Sequence, residues 1–218
     1  MTPEFAQAVD PIFLHVLDLL DRIERGETPA FLDERIRIRA LIDEAEAKLG
    51  GGPEWTSTKY ALASWIDELL SADPDYPWAG QEWWNNNSLE FELFKSKERA
   101  EQFYERAARA PAPAREIYYI CVMLGFRGLY RNVDSHYVES QGLPADLSEW
   151  ARQMRLSIGN ALGQGRAPLP KASPGRPAGA QPLSGKPLLV WSSLAGIILT
   201  VCNVLVAYYH SGVRWFLP

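Results

Sequence analysis

The stretch AREIYYICVMLGFRGLYR, residues 114–131, does most to set the fold class. Its apolar residues lie around most of a helical circumference rather than at alternate positions, which predicts a helix near the centre of a helical body. Its two glycines, Gly125 and Gly128, then fall inside or at the end of that helix. Working outward, the same period continues. Phe5, Val9, Ile12, Val16, Leu19 and Ile23 step by four and three, giving a one-faced amphipathic helix. A second helix is predicted in TPAFLDERIRIRALIDEAEAKLGGGP, residues 28–53, with Thr28 as cap, Pro29 in the first turn and three glycines as the stop. Its apolar stripe is Ile38, Ile42, Ala45 and Leu49. A third helix is predicted over about residues 58–71, and a fourth and fifth between Trp83 and Ala110. The last opens at DLSE, where Asp146 and Glu149 suit a capping box, and runs through Leu147, Trp150, Met154, Ile158 and Leu162. No segment shows strand alternation between turn signals, so the body, residues 1–162, is all-α.

Charge is distributed unevenly along the 218 residues. Residues 1–162 hold all 27 acidic and 17 of the 22 basic side chains, a net charge of −10; residues 163–218 hold five basic side chains and no acid, hence +5. An acidic body argues against non-specific nucleic-acid binding. Residues 163–187, GQGRAPLPKASPGRPAGAQPLSGKP, are rich in proline and glycine and read as a linker, spanning about 25–30 Å as a coil. Residues 188–209 then contain no Asp, Glu, Lys, Arg or His. As a helix they would be roughly 33 Å long, enough for a single span of a lipid bilayer. Arg166, Lys171, Arg176 and Lys186 precede this run and only Arg214 follows it. The positive-inside bias therefore puts the body in the cytoplasm and residues 210–218 across the membrane. Asp10, Asp18 and Asp21 interrupt the apolar N-terminus, which lacks a basic start and does not read as a signal peptide. The two cysteines, Cys121 and Cys202, form no disulfide framework. Within the span, Ser192, Gly196, Thr200, Asn203 and Ala207 share one stripe. Such a stripe lets helices approach one another, with Asn203 bonding across the contact; the alternative is a span that tolerates small residues facing lipid.

Signs of enzyme chemistry are sparse. LGFRGLYR lacks the lysine and hydroxyl of a phosphate-binding loop, and His15, His136 and His210 are scattered, so no cofactor or metal is expected. Two features ask for more than packing. In KYALASWIDELL, Leu62, Trp65, Ile66 and Leu69 share one side of the helix, leaving Asp67 and Glu68 on the other. These carboxylates near a helix C-terminus oppose its dipole. They suit a solvated face, a pairing with an arginine such as Arg127 or Arg131, or a negative patch for a basic partner. In YPWAGQEWWNNNSLEFELF, a loop with Trp78, Trp83 and Trp84 beside Asn85, Asn86 and Asn87 suits either core packing or a protein interface.

Four segments in order, YALASWIDELL, WWNNNSLEFELF, AEQFYERA and EIYYICVMLGFRGLYR, resemble the DotU/TssL family of type VI secretion systems and their type IVB relatives. The most specific elements are Leu124-Gly125-Phe126-x-Gly128-x-Tyr130-Arg131 and Tyr60-Ala61-Leu62 with Ile66-Asp67-Glu68. The resemblance implies an all-helical, hook-like cytoplasmic domain of two bundles, held to the inner membrane by one C-terminal span. It implies a non-enzymatic scaffold joining a large TssM/IcmF-type inner-membrane partner to cytoplasmic baseplate components. It also places Asp67 and Glu68 in a groove associated with partner binding. The chain departs from the family in lacking a glycine before the paired aromatics Phe103 and Tyr104. A peptidoglycan-binding domain, found beyond the span in some relatives, is not expected in residues 210–218. The alternative reading is a tail-anchored membrane adaptor unrelated to secretion, or a type IVB secretion component.

Overall fold

The computed structural model describes residues 1–71, 77–131 and 133–165. They belong to one compact unit, Met1–Ala167. Among them the regular structure is entirely helical: α1 (Pro3–Glu24), α2 (Phe31–Leu49), α3 (Pro53–Ser71), α4 (Gln81–Asn86), α5 (Leu89–Phe94), α6 (Arg99–Arg109), α7 (Ala112–Met123), a 3-10 turn (Gly128–Tyr130), α8 (Ser135–Ser140) and α9 (Leu147–Gly165). No helix among the described residues is long and apolar enough to cross a membrane. The predicted span at 188–209, its stripe Ser192, Gly196, Thr200 and Asn203, and nearly all of the predicted linker lie outside the described residues.

Local chemistry explains most boundaries and corrects several expectations. Thr2 caps α1, accepting from the Phe5 N–H at 3.2 Å. The second helix does not use Thr28; it starts at Phe31 behind Ala30, which makes no side-chain cap bond. It ends as expected at the glycine run, with Gly50 at φ 76°, a conformation that costs glycine nothing. Asp146 does cap α9, accepting from the Ser148 N–H at 2.8 Å. The predicted box does not close, because Glu149 turns forward to a two-pronged pair with Arg152 at 2.7 Å. That pair holds the Glu149 carboxyl down at about 2. Segment 114–131 also departs from expectation: α7 stops at Met123, and Gly125 (φ 109°) and Gly128 (φ 53°) turn the chain instead of continuing the helix.

α1 buries the whole expected stripe, from Phe5 to Ile23, and packs chiefly on α2. The central element is α3 rather than α7. From Tyr60 to Ser71 every α3 residue is buried, and α3 packs on α2, α4, α5, α6 and α7. α7 buries Ala114, Ile117, Tyr118, Cys121 and Val122 but leaves Met123 61% exposed. Burial pushes the Cys121 thiol well above its ordinary range, so it behaves as a small apolar side chain. Where α6 meets α7, Phe103 stacks on Phe126 with centroids 3.9 Å apart and meets Tyr118 edge-on at 4.8 Å.

Phe103 is fully buried, whereas Leu32 is 53% exposed. Phe103→Ala should therefore lower unfolding stability by about 3–5 kcal/mol, and Leu32→Ala should change it by no more than about 0.5 kcal/mol. Urea unfolding of the two variants followed by circular dichroism checks both values.

Candidate functional site

Asp67 and Glu68 lie one turn from the end of α3, 0% and 5% exposed. The expectation of a solvated face fails because α3 is covered on all sides. Each carboxylate instead reaches backbone N–H groups of another segment. Asp67 Oδ1 accepts from the Leu89 N–H at 2.7 Å and the Trp84 indole N–H at 2.9 Å; Oδ2 accepts from the Glu90 N–H at 2.7 Å. Leu89 and Glu90 are the first two residues of α5, whose N–H groups have no partner within their own helix. Ser88 Oγ takes the next one, from Phe91, at 3.3 Å. Asp67 thus caps a helix from across the core.

Glu68 does the same for the turn after α7. Its carboxylate accepts from the Arg127 N–H at 2.8 Å and the Gly128 N–H at 3.0 Å. Arg131 closes the turn with an ion pair to Glu68 Oε1 at 3.0 Å, one of the pairings the sequence left open. Gly128 is required here, since a Cβ would sit 2.9 Å from the Phe126 ring and 3.0 Å from the Ala100 carbonyl oxygen. Trp65 Nε1 donates to the Leu124 carbonyl at 3.2 Å, Tyr104 OH donates to the Arg127 carbonyl, and Tyr130 OH donates to the Pro144 carbonyl at 2.8 Å. Leu124, Phe126, Gly128, Tyr130 and Arg131 of the LGFRGLYR motif therefore each have a packing or bonding partner.

Sequence reasoning missed a third carboxylate, Glu90, which is fully buried. It accepts from the Tyr60 hydroxyl at 2.9 Å and the Glu98 N–H at 3.1 Å. The signal was there in the tyrosine of Tyr60-Ala61-Leu62, whose hydroxyl needs an acceptor once buried. Burial pushes the Asp67 carboxyl up to about 6, against the pull of the Glu90 and Leu89 N–H groups and the Arg99 charge.

The tryptophans separate into different roles. Trp83 and Trp84 lie on the short helix α4 rather than in a loop. Trp84 is fully buried, with the Arg35 guanidinium 5.0 Å over its ring. Arg35 continues to Glu92 at 2.6 Å. Trp83 is half-buried against Phe31, 5.2 Å between centroids, and Asn85, Asn86 and Asn87 are exposed beside it. The acidic pair and the tryptophans form one connected region through the Trp84–Asp67 bond. Beside Glu68 is an open pocket of about 310 Å³, rimmed by Lys97, Arg99 and Arg131. Residues 72–76, which include Asp73 and Asp75, lie outside the described residues.

At this site buried side chains hold loops in place around a small open pocket. A family model described as type VI secretion system protein DotU matches residues 4–211. The chain belongs to that family, and is thus a secretion-system component. Among solved structures it is similar to the cytoplasmic domain of TssL from Acinetobacter baumannii. The two share 24% identity and a TM-score of 0.54, over 72% of this chain and 97% of that one. At that identity the likeness concerns the fold. No curated protein matches the chain.

Asp67→Asn replaces one acceptor oxygen with a donor facing N–H groups, and should cost on the order of 1–3 kcal/mol. Because folding raises the Asp67 pKa from an unfolded value near 4 to about 6, the folded state binds more protons between those values. The stability Asp67 contributes is therefore fully present below pH 4 and declines as pH rises through 6. Urea unfolding of both proteins at pH 7 and pH 5 should show wild type gaining on Asp67→Asn at the lower pH.

Proposed function

We propose that the chain is a non-enzymatic scaffold of the type VI membrane complex, tethered to the bacterial inner membrane by residues 188–209, with the helical domain cytoplasmic and residues 210–218 periplasmic. The scaffold links a TssM/IcmF-type inner-membrane protein to cytoplasmic baseplate components. One observation carries this reading: a single family match runs from the helical body through the linker into the apolar run. The two-bundle, hook-like arrangement belongs to the same proposal. It is supported by α1 packing chiefly on α2 while α3 gathers α4 to α7. Self-association of the span through Ser192, Gly196, Thr200 and Asn203 is proposed on the stripe those residues form.

Asp67 and Glu68 enter partner binding indirectly. They hold α5 and the 125–131 turn on either side of the pocket rimmed by Lys97, Arg99 and Arg131. Reversal of either to lysine would leave buried N–H groups facing a cation, so loss of binding would follow loss of structure. Trp84 acts as a packing residue; Trp83, half-buried beside exposed asparagines, is the tryptophan placed to touch a partner.

The test is a pull-down of the full chain from gently solubilised native membranes, read by mass spectrometry. Recovery of a large multi-span protein with baseplate proteins is expected, and Trp83→Ala should lower it about tenfold without unfolding the domain. Recovery of neither, from chain that is intact and in the membrane, would favour the unrelated tail-anchored adaptor.

A further inference from the structure

The outward face of α1 is unlike an ordinary solvated helix surface. Asp10, Leu14, Leu17, Asp21 and Glu24 follow one another at intervals of four, three, four and three, so they share one stripe. All are exposed, Leu14 to 67% and Leu17 to 38%. Asp21 is paired within the helix to Arg25 at 2.8 Å, while Asp10 makes no ion pair among the described residues. The stripe is therefore a short acidic ridge around two leucines.

A surface of opposite character lies between α7, α9 and the 125–131 turn. It is an open groove of about 980 Å³. Val122, Met123, Leu147 and Ala151 contribute its apolar lining, and Arg127 and Arg155 stand on it; the lining also includes Asp146, whose carboxylate is engaged at the start of α9 by the Ser148 N–H. Both arginines are exposed and neither makes an ion pair among the described residues. Arg152, also on the groove, is already paired with Glu149. In a body whose net charge is −10, two such cations beside exposed apolar surface call for an acidic, apolar occupant.

We infer that the α1 ridge of one copy seats in the arginine-rimmed groove of a second copy, Leu14 and Leu17 over Met123 and Asp10 and Asp21 toward Arg127 and Arg155. Ridge and groove are different surfaces of the same chain, so the contact is head-to-tail and repeats from copy to copy. It buries little area and is weak in isolation. This inference does not depend on the partners proposed above.

The test uses two differently tagged full-length chains in the same membranes, both carrying Cys202→Ala. One also carries Leu14→Cys and the other Met123→Cys. Mild oxidation should give the mixed adduct in preference to either homotypic one. Arg127→Glu with Arg155→Glu in the Met123→Cys chain should lower its yield at least tenfold. Adding Asp10→Arg and Asp21→Arg to the Leu14→Cys chain should restore it. Maleimide labelling of both thiols establishes that each is accessible. Absence of the mixed adduct from accessible thiols would overturn the inference. So would a yield indifferent to charge reversal, or Leu14→Cys homotypic adducts forming as readily. If no mixed adduct forms and the arginine reversals instead weaken binding to vesicles of one-third anionic lipid, the groove meets the membrane and the inference also fails.

Discussion

Two carboxylates at the end of α3 satisfy four backbone N–H groups and one indole that have no helical partner of their own. The rest of the domain depends on that arrangement. α5 is six residues long and the turn after α7 three, too short to be stable alone. Both keep their positions because an ionised side chain in the core accepts their first N–H groups. Such bonds gain from the low dielectric around them, and leaving the donors unmet would be costly. The same burial that strengthens the bonds also raises the Asp67 pKa. One environment therefore provides both the hydrogen bonds of the region and a contribution to stability that weakens as pH rises through 6.

The acidic pair of the family motif is then an architectural device that fixes the segments around the pocket. Asp67 fixes α5 and, through Trp84, the helix that carries Trp83. Glu68 fixes the turn that carries Arg127 and Arg131. Surface residues of two sequence-distant segments are held in register by adjacent positions of one buried helix. Membership of the DotU family gives this arrangement its context in type VI secretion.

Helical class and the stripes of α1 and α2 were legible in the sequence because amphipathic helices declare the face they bury. α3 was only partly legible, for the opposite reason. With cover on all sides, its polar residues face other protein segments, and a helical wheel assigns polar faces to water. The wheel set Asp67 and Glu68 away from Leu62, but it does not show that α5 and a glycine turn lie on that side. Contacts of this kind join residues 22 to 60 positions apart. Arg131 as a partner of Glu68 was within reach because its charge is visible; the backbone donors of Leu89, Glu90, Arg127 and Gly128 carry no letter of their own. Glu90 was hidden in the same way inside LEFEL, a stretch that reads as a solvated helix.

Amide hydrogen exchange at those four N–H groups tests the central claim most directly. Slow exchange at Leu89, Glu90, Arg127 and Gly128 in wild type is expected. Asp67→Asn should release only the first pair and Glu68→Gln only the second. Fast exchange at all four in wild type, or equal release of both pairs by either substitution, would contradict the account.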